Sequence, residues 1–402
     1  MAQTRNGAPL LWGLAAAQVV SWGSVYYSFS LFVVPMEAEL GWGRTEINGA
    51  LSLGLLISGF AAYPVGTWID RHGGRALMTV GSVLATVLLA AWSAIESLAL
   101  LYVIWVGLGL ALAATLYEPA FAVLTRTFPE SYRARITALT LVGGFASTVF
   151  IPLTQLFISA LGWRNALLAL AVCNAAICIP VHVFLLRNES GRTTRAVDAG
   201  TDDTPTDDRA LRRALRHPAF WGLAVCFTAY YAAFSAMTFH IIPLLTERAV
   251  PIGTIVAAIA VVGPAQVAGR LMLFAARGRF TSSFAGRFAT MLFPLSVILL
   301  IAFPSSVAAL FAFAACYGAA NGIMTIVRGT AVPDLMWREG YGAINGALTL
   351  PSNIARAVAP FAAALIWKSG GVYDAVLWSM LGAGCAAAVA FWYASGRKAS
   401  SR

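Results

Sequence analysis

This sequence contains a series of apolar stretches, each about as long as one membrane-spanning helix. A bilayer core about 30 Å thick requires about 20 apolar residues per helix. Stretches of that length recur from one end of the sequence to the other, with short polar segments between them. We predict twelve spans, at residues 10–35, 48–69, 76–94, 99–122, 136–160, 164–186, 219–244, 252–275, 284–303, 306–328, 343–367 and 372–394.

These spans are predicted to be helices rather than barrel strands. Hydrophobic residues make up 59% of the chain and charged residues 11%, which leaves too little polar surface to cover a soluble protein of this size. Stretches such as 297–303 lack the apolar–polar alternation of a barrel strand, and helices satisfy their own backbone groups in lipid. A secretory signal is the alternative interpretation of the first span, but its apolar residues continue to Pro35 without a break.

The distribution of basic residues predicts the orientation. With the N-terminus inside, only four of the 27 Lys and Arg residues fall in outer loops, and Arg328 is assigned to an inner segment. Because Lys and Arg remain on the cytoplasmic side, both termini are predicted to be cytoplasmic. Anionic inner-leaflet lipid explains the net charge of +10, so no nucleic-acid partner is expected. The five cysteines lie within spans without metal-ligand spacing, and we predict no metal site and no cofactor.

A hydrophilic segment divides the spans into two sets of six. We predict a bundle over 1–187, a cytoplasmic linker over 188–217 and a second bundle over 218–402. Residues 130–141 and 339–350 share Glu, Tyr, Ala and the run Ala-Leu-Thr-Leu, and Val34-Pro35 with Glu39 resembles Ile242-Pro243 with Glu247. The near-constant spacing of the two matches predicts an all-α membrane protein with two pseudo-symmetric six-helix bundles, an arrangement that permits alternating access to a shared midplane site.

The loop after the second span carries a charged and glycine-rich motif. It reads Gly66-Thr-Trp-Ile-Asp70-Arg71-His-Gly73-Gly-Arg75 and resembles the Gly-x-x-x-Asp-Arg-x-Gly-x-Arg signature of the major facilitator superfamily. Gly66 permits close approach of two helices, Asp70 can pair with a helix end or an arginine, and Gly73 allows a tight turn. The resemblance implies the major facilitator fold and a conformational role for these five residues.

Four shorter pieces resemble a narrower group, the bacterial monocarboxylate-transporter and oxalate/formate-antiporter branch. They are residues 41–45, 240–247, Gly269-Arg270 and Trp22-Gly23. This resemblance implies that Arg270 in span eight holds the substrate carboxylate and that Arg356 in span eleven is a second cation. Gln266 replaces an aspartate of the animal carriers, which leaves their mode of proton coupling open for this chain.

The two arginines point to an anion without reference to any family. A guanidinium near the middle of a spanning helix costs about 2.5 to 3.5 kcal/mol, so it is expected to face a wet cavity or a partner. The alternative is that each arginine pairs with a carboxylate or a helix C-terminus. Glu118 is the one clear carboxylate within the spans, so it can neutralise only one of them, and the planar guanidinium suits a carboxylate from outside the protein.

Other polar side chains follow these arginines at helical spacing. Interhelical hydrogen bonding and aromatic packing are the alternative roles for them. Glu118 and His240 are candidates for proton coupling or gating, with capping and packing as alternatives. The further substrate-binding candidates are Gln266, Tyr231, Ser235, Ser352, Asn353, Gln18, Tyr26 and Tyr27.

These features together predict a secondary transporter of small organic anions. Neither an ATP-binding loop nor a metalloenzyme motif is present in the sequence, so we expect no enzymatic activity. A drug or hydrophobic-compound exporter and a transporter-like solute sensor are the rival classes. We expect a monomer in the bacterial inner membrane that binds a carboxylate substrate, contacts lipid, and works by proton symport or anion exchange.

Overall fold

A computed structural model of the protein describes residues 7–186, 207–275, 281–370 and 372–397. Its regular structure over these residues is helical. Two π-helical segments, Trp22–Tyr27 and Val181–Leu185, accompany fifteen α-helices. The α-helices are α1 Ala8–Ser21, α2 Phe29–Leu40, α3 Arg44–His72, α4 Arg75–Trp92, α5 Leu98–Thr115, α6 Tyr117–Thr127, α7 Tyr132–Gly143, α8 Ala146–Pro180, α9 Asp207–Leu215, α10 Pro218–Glu247, α11 Ile252–Ala275, α12 Ser282–Ala302, α13 Val307–Leu335, α14 Tyr341–Gly370 and α15 Asp374–Gly396.

Eleven helical stretches of the described residues are long and apolar enough to cross a membrane. One of them, Tyr132–Leu185, is 54 residues long and contains both the fifth and the sixth predicted spans. Gly162 interrupts it with a φ of 78° and a ψ of 160°, in the left-handed half of backbone space that glycine tolerates best. The all-α membrane fold predicted from the sequence is therefore confirmed.

Three local features differ from the expectation drawn from the sequence. The first span extends to Leu40, beyond its predicted end, and contains the π-helical turn Trp22–Tyr27. The tenth span extends to Leu335, which places Arg328 inside α13 rather than in an inner segment. Part of the predicted linker, Asp207–Leu215, forms the helix α9, and residues 188–206 of that linker lie outside the described residues.

The chain divides into two compact units. Unit 1 comprises Met1–Leu211 with Glu339–Ala347, and unit 2 comprises Arg212–Arg338 with Leu348–Arg402. In unit 1, Phe29 and Trp105 pack edge to face at 4.9 Å in the buried core. In unit 2, Tyr230 packs against Phe293 at 5.3 Å between ring centroids. The predicted bundle boundaries at 187 and 218 stay a prediction.

Each unit has a glutamate at the end of its first long helix that accepts an indole N–H. In unit 1, Glu39 accepts from Nε1 of Trp163 and also from Nε of Arg164 at 2.9 Å. In unit 2, Glu247 accepts from Nε1 of Trp367 at 2.9 Å. Glu39 and Glu247 are the pair matched in the sequence repeat, so the two halves share this contact as well as the local sequence.

Candidate functional site

Arg356 lies half-buried in α14, within a membrane-length helix of unit 2. Its guanidinium carbon lies 4.8 Å from the centroid of the Tyr231 ring, on α10. No carboxylate within the described ranges of the chain lies within ion-pair distance of Arg356. A cation held by an aromatic face and left without a protein counter-charge can bind an external anion.

The backbone of Arg356 is held in place by a serine. Pro360 has no N–H, so the Arg356 carbonyl, four residues earlier, has no helical donor. The hydroxyl of Ser235 donates to that carbonyl at 2.8 Å, and Ser235 is itself 4% exposed. Tyr231 and Ser235, four residues apart on α10, thus contact the side chain and the backbone of the same arginine.

Tyr317 on α13 extends this polar cluster of unit 2. Its hydroxyl donates to the Phe234 carbonyl at 2.8 Å and lies 2.7 Å from the Thr238 hydroxyl. The ring of Tyr317 stacks on Phe234 at 4.6 Å between centroids. Tyr317 was not predicted from the sequence, although Asn321 follows it by one helical turn in the same span.

Arg270 lies on α11 and is 6% exposed. Its neighbour Gly269 packs against α13, because a Cβ there would lie 2.8 Å from the carbonyl oxygen of Ala319. Gly322 of α13 makes a similar approach, and a Cβ there would lie 2.2 Å from the Gln266 carbonyl. Arg270 and half-buried Gln266 therefore belong to a tight α11–α13 interface, whereas Arg356 belongs to the α10–α14 interface.

The two remaining candidates on α14 differ in accessibility. Ser352 is 3% exposed, and its hydroxyl donates to the Thr349 carbonyl of its own helix at 2.8 Å. Asn353 is half-buried. Of the two, Asn353 is therefore the more accessible.

Arg328 of unit 2 is buried, as Arg270 is. It is 5% exposed, and its guanidinium carbon lies 4.7 Å from the centroid of the Phe227 ring. It also donates to the Thr349 hydroxyl. The sequence carries a signal for its position, because Asn321, Thr325 and Arg328 follow one another at intervals of four and three.

In unit 1, the π-helical turn of the first span carries a cluster of aromatic rings. Trp22 contacts Tyr26 edge to face at 5.2 Å and Tyr27 at 6.0 Å between centroids. Tyr117, at the start of α6, lies 5.3 Å from Trp22. The Ser28 N–H donates to the Gly23 carbonyl at 3.1 Å, five residues back, which is the hydrogen bond of a π-helix. Such turns occur often at functional sites.

The Gln18 side chain forms a hydrogen bond at a point where the helix of the fourth span is interrupted. Leu116, with a ψ of −155°, separates α5 from α6, and Pro119 cannot donate to the Thr115 carbonyl. The side-chain amide of Gln18 donates to that carbonyl at 2.7 Å instead, and Gln18 is 0% exposed. This contact assigns Gln18 a structural role, whereas Tyr26 and Tyr27 are half-buried and accessible.

Glu118 lies in the first turn of α6, directly after this break. It is half-buried, and none of the described residues forms an ion pair or a side-chain hydrogen bond with it. The N-terminus of a helix favours a negative charge. Glu118 therefore combines partial burial with a position at a helix N-terminus.

His240 has partners at both ring nitrogens. Nε2 lies 2.9 Å from the Pro360 carbonyl oxygen and Nδ1 lies 3.1 Å from the Tyr373 hydroxyl. A carbonyl only accepts, so Nε2 carries a proton and Nδ1 accepts from Tyr373 when the ring is neutral. These contacts tie the C-terminal part of α10 to α14 and to the residue before α15, and they favour a gating or packing role over a substrate contact.

The motif after the second span forms a second polar site within unit 1. The carboxylate of Asp70 accepts from the Gly342 N–H at 3.0 Å and from the Ala343 N–H at 2.9 Å, in the first turn of α14. A Cβ on Gly66 would lie 2.0 Å from the Gly342 carbonyl oxygen. Gly73 ends α3 with a φ of 78°, Arg71 is exposed, and Arg75 begins α4.

Arg126 supports this motif from α6. Its guanidinium donates to the Ile69 carbonyl at 2.7 Å and to the Asp70 carbonyl at 2.8 Å. A cation at a helix C-terminus is stabilising because it opposes the partial negative charge of the last carbonyls. The fold, the embedded cation and this motif define a polytopic helical membrane protein of the transporter class.

Comparison with known proteins identifies the superfamily. The family model of the Major Facilitator Superfamily matches residues 14–300. The chain is 23% identical over 229 residues to the uncharacterized MFS-type transporter YcxA of Bacillus subtilis (strain 168), covering 55% of this chain and 53% of that protein. It is 24% identical over 212 residues to a probable L-galactonate transporter of Escherichia coli (strain K12), covering 50% and 46%.

Two further likenesses complete the comparison. Monocarboxylate transporter 12 of Xenopus laevis is 33% identical over 122 residues, covering 29% of this chain and 26% of that protein. The E. coli fucose:proton symporter FucP has a TM-score of 0.75 at 16% identity, covering 97% of this chain and 98% of that structure, which shows the fold. Each match to these curated relatives spans about half of the relative's length or less.

The chain belongs to the major facilitator superfamily. This membership confirms the predicted class, a multi-pass membrane protein of a transporter family rather than an enzyme. The aspartate, glycine and arginine residues of the motif quoted above supplied the correct family from the sequence.

Proposed function

We propose that the protein is a secondary transporter of small organic anions, carboxylates in particular, and that Arg356 binds the carboxylate. The observation that carries this proposal is the environment of Arg356. Its guanidinium lies on the face of Tyr231, and no carboxylate within the described part of the chain neutralises it. Arg270 on α11 is the carboxylate-binding residue expected from the sequence, and because it is 6% exposed whereas Arg356 is half-buried, we propose it as the second determinant of anion binding.

The energetics of an embedded charge support an anionic substrate. Holding a guanidinium at membrane depth costs about 2.5 to 3.5 kcal/mol, and a bound carboxylate offsets this cost through paired, charge-assisted hydrogen bonds. Ser235 fixes the backbone of Arg356, so little reorganisation is needed when the anion arrives. Tyr231 and Asn353 are proposed to contact the same solute.

The relatives support the same substrate class. One is named as a probable transporter of L-galactonate, a sugar acid, and another as a monocarboxylate transporter. The two share little overall sequence with this chain, but both names refer to carboxylates. We therefore extend the proposal to the monocarboxylate branch of the superfamily, with the bacterial inner membrane as the location, cytoplasmic termini and a monomeric carrier.

The proposed transport cycle is alternating access, driven by a proton gradient or by exchange of one anion for another. Glu118 is the proposed proton carrier, because it is a half-buried carboxylate without an ion-pair partner in the described residues. An exporter of cationic drugs is the less favoured alternative. Such a carrier is expected to place carboxylates in its cavity, whereas this proposal rests on Arg356, a cation without a carboxylate partner among the described residues.

Uptake into proteoliposomes tests the proposal. Labelled monocarboxylates, dicarboxylates, neutral sugars and a cationic dye are offered to the wild-type protein, with and without an inward proton gradient. We expect uptake of at least one carboxylate, strong reduction in Arg356→Gln, and wild-type uptake in Lys368→Gln, an exposed cation of the same helix. Uptake of the dye alone, or equal carboxylate uptake by both variants, contradicts the proposal.

The Glu118→Gln variant separates the two modes of coupling. If Glu118 carries the proton, this variant loses stimulation by the gradient but retains exchange of internal for external anion. If the wild-type protein shows exchange and no response to the gradient, the coupling mode is exchange and the role proposed for Glu118 is wrong.

A further inference from the structure

The helix α9, which precedes the first spanning helix of unit 2, has one basic and one apolar face. Arg209, Arg212 and Arg213 follow one another at intervals of three residues and one residue, so they share one side of α9, and Arg216 lies in the turn directly after that helix. The other side carries Ala210 and Ala214, which are 5% and 0% exposed. The apolar face is therefore covered by protein, and the arginine face is directed outward.

The arginines of this face that belong to unit 2 are exposed. Arg212 and Arg216 lie one turn apart, and no carboxylate of the described residues lies within ion-pair distance of either one. Arg213 differs, because its guanidinium carbon lies 4.3 Å from the centroid of the Trp337 ring. Arg213 therefore fixes the orientation of the helix, and Arg212 and Arg216 remain available to an anion.

Exposed apolar side chains lie beside the basic face, as is typical of surfaces at the membrane interface. Leu215 is 40% exposed and Trp221 is 55% exposed, and Nε1 of Trp221 donates to the Leu215 carbonyl at 2.9 Å. This bond joins the end of α9 to the first turn of α10. Tryptophan is enriched at the boundary between headgroups and hydrocarbon, and basic clusters next to a spanning helix attract anionic lipid.

We propose that the surface formed by Arg212, Arg216, Leu215 and Trp221 binds the headgroup phosphate of an anionic glycerophospholipid. The two guanidinium groups pair with the phosphate, and Leu215 and Trp221 contact the acyl chains and the glycerol region. The two exposed arginines match the negative charge of a phosphate. The exposed apolar groups beside them adjoin the start of a membrane-length helix, which favours a lipid over a protein partner. This inference is independent of the substrate that the protein carries.

Lipid titration of the purified full-length protein in neutral detergent tests the proposal. Short-chain phosphatidylglycerol is added while tryptophan fluorescence and the thermal midpoint are followed, and phosphatidylcholine and glycerol phosphate are titrated in parallel. Each arginine near an anionic surface contributes about fivefold in affinity, so Arg212→Gln with Arg216→Gln is expected to weaken phosphatidylglycerol binding about 25-fold. The double lysine variant is expected to retain most of the binding, and salt is expected to weaken it.

A matched control separates local binding from net charge. Arg133→Gln with Arg397→Gln also removes two exposed cations, and this control is expected to bind phosphatidylglycerol as the wild-type protein does. Equal weakening in the control and the test variant overturns the proposal, as does unchanged binding in the test variant. A response to glycerol phosphate equal to that of the lipid also overturns it, because the site then takes a free phosphate. Transport substrate is absent throughout, so failure here leaves the carboxylate proposal unaffected.

Discussion

Ser235 donates its hydroxyl proton to the backbone carbonyl of Arg356, 2.8 Å away. That carbonyl lacks a helical donor because Pro360 occupies the position that normally supplies one. The contact joins α10 to α14 at the residue whose guanidinium lies over Tyr231. A proline and a serine on two different helices thus fix the backbone that carries the proposed anion-binding side chain.

A double-mutant cycle tests this relationship. Ser235→Ala is expected to destabilise the wild-type protein by about 1 to 3 kcal/mol, because a buried carbonyl loses its donor. In a Pro360→Ala background the helix supplies the missing N–H, and Ser235→Ala is expected to cost much less. Thermal or denaturant unfolding in detergent measures both differences. Equal costs in the two backgrounds contradict the role assigned to Pro360.

Close packing at Gly66 gives a second prediction. A Cβ there meets the Gly342 carbonyl oxygen at 2.0 Å, and backbone atoms cannot rotate away. Gly66→Ala is therefore expected to destabilise the protein by about 1 to 3 kcal/mol and to separate Asp70 from the start of α14. Gly382→Ala is the control, because a Cβ at Gly382 meets nothing within 4 Å and alanine favours a helix. A neutral Gly66→Ala in the same unfolding assay argues against this packing.

The two glutamate–tryptophan contacts provide a matched pair for comparison. Trp163 is 6% exposed and Trp367 is 39% exposed, although each donates to the equivalent glutamate of its unit. Trp367→Phe is expected to cost less than about 1 kcal/mol, and Trp163→Phe about twice as much, because burial strengthens a hydrogen bond. Thermal midpoints of the two variants check the order. The reverse order contradicts the argument from burial.

His217 predicts a dependence of stability on pH. Burial and the nearby Arg213 guanidinium lower the pKa of His217 below its usual value, and its Nδ1 accepts from the Ala219 N–H at the start of α10. Protonation removes that acceptor, so the stabilising contribution present above about pH 6.5 is lost as the pH falls. His217→Asn keeps a capping oxygen and is expected to show less loss of thermal stability between about pH 7.5 and about pH 5.5. An identical loss in both proteins rules out this role.

Much of the fold was predictable because each membrane helix corresponds to a long apolar stretch of the sequence. The boundaries at Leu40 and Leu335 were missed because polar residues such as Arg328 can extend a helix when neighbours cover them. The helix α9 was missed because its basic face dominates a short segment. At these two boundaries and in α9, tertiary packing rather than local hydrophobicity determines where the helix begins and ends.

The candidate site was predictable in type but less so in arrangement. Arg270 and Arg356 are evident in the sequence as charges within apolar spans, whereas their different helix partners depend on how α10, α11, α13 and α14 pack. Gln18 has the helical spacing expected of a binding residue. Its side chain instead donates to the Thr115 carbonyl, which has no helical donor because Pro119 lacks an N–H. The pattern of polar residues in the sequence cannot distinguish a side chain that contacts a ligand from one that hydrogen-bonds to a backbone carbonyl left unpaired by a proline.

The preference of the purified protein for a carboxylate over the corresponding neutral amide tests directly whether Arg356 binds the substrate anion. Equilibrium binding of a transported carboxylate and of its amide is measured in wild type, Arg356→Gln and Lys368→Gln. Charge-assisted hydrogen bonds contribute about 1.5 to 3 kcal/mol, so wild type and Lys368→Gln are expected to prefer the carboxylate by about 10- to 100-fold, and Arg356→Gln is expected to lose that preference. An undiminished preference in Arg356→Gln contradicts the assignment of Arg356 as the anion-binding residue.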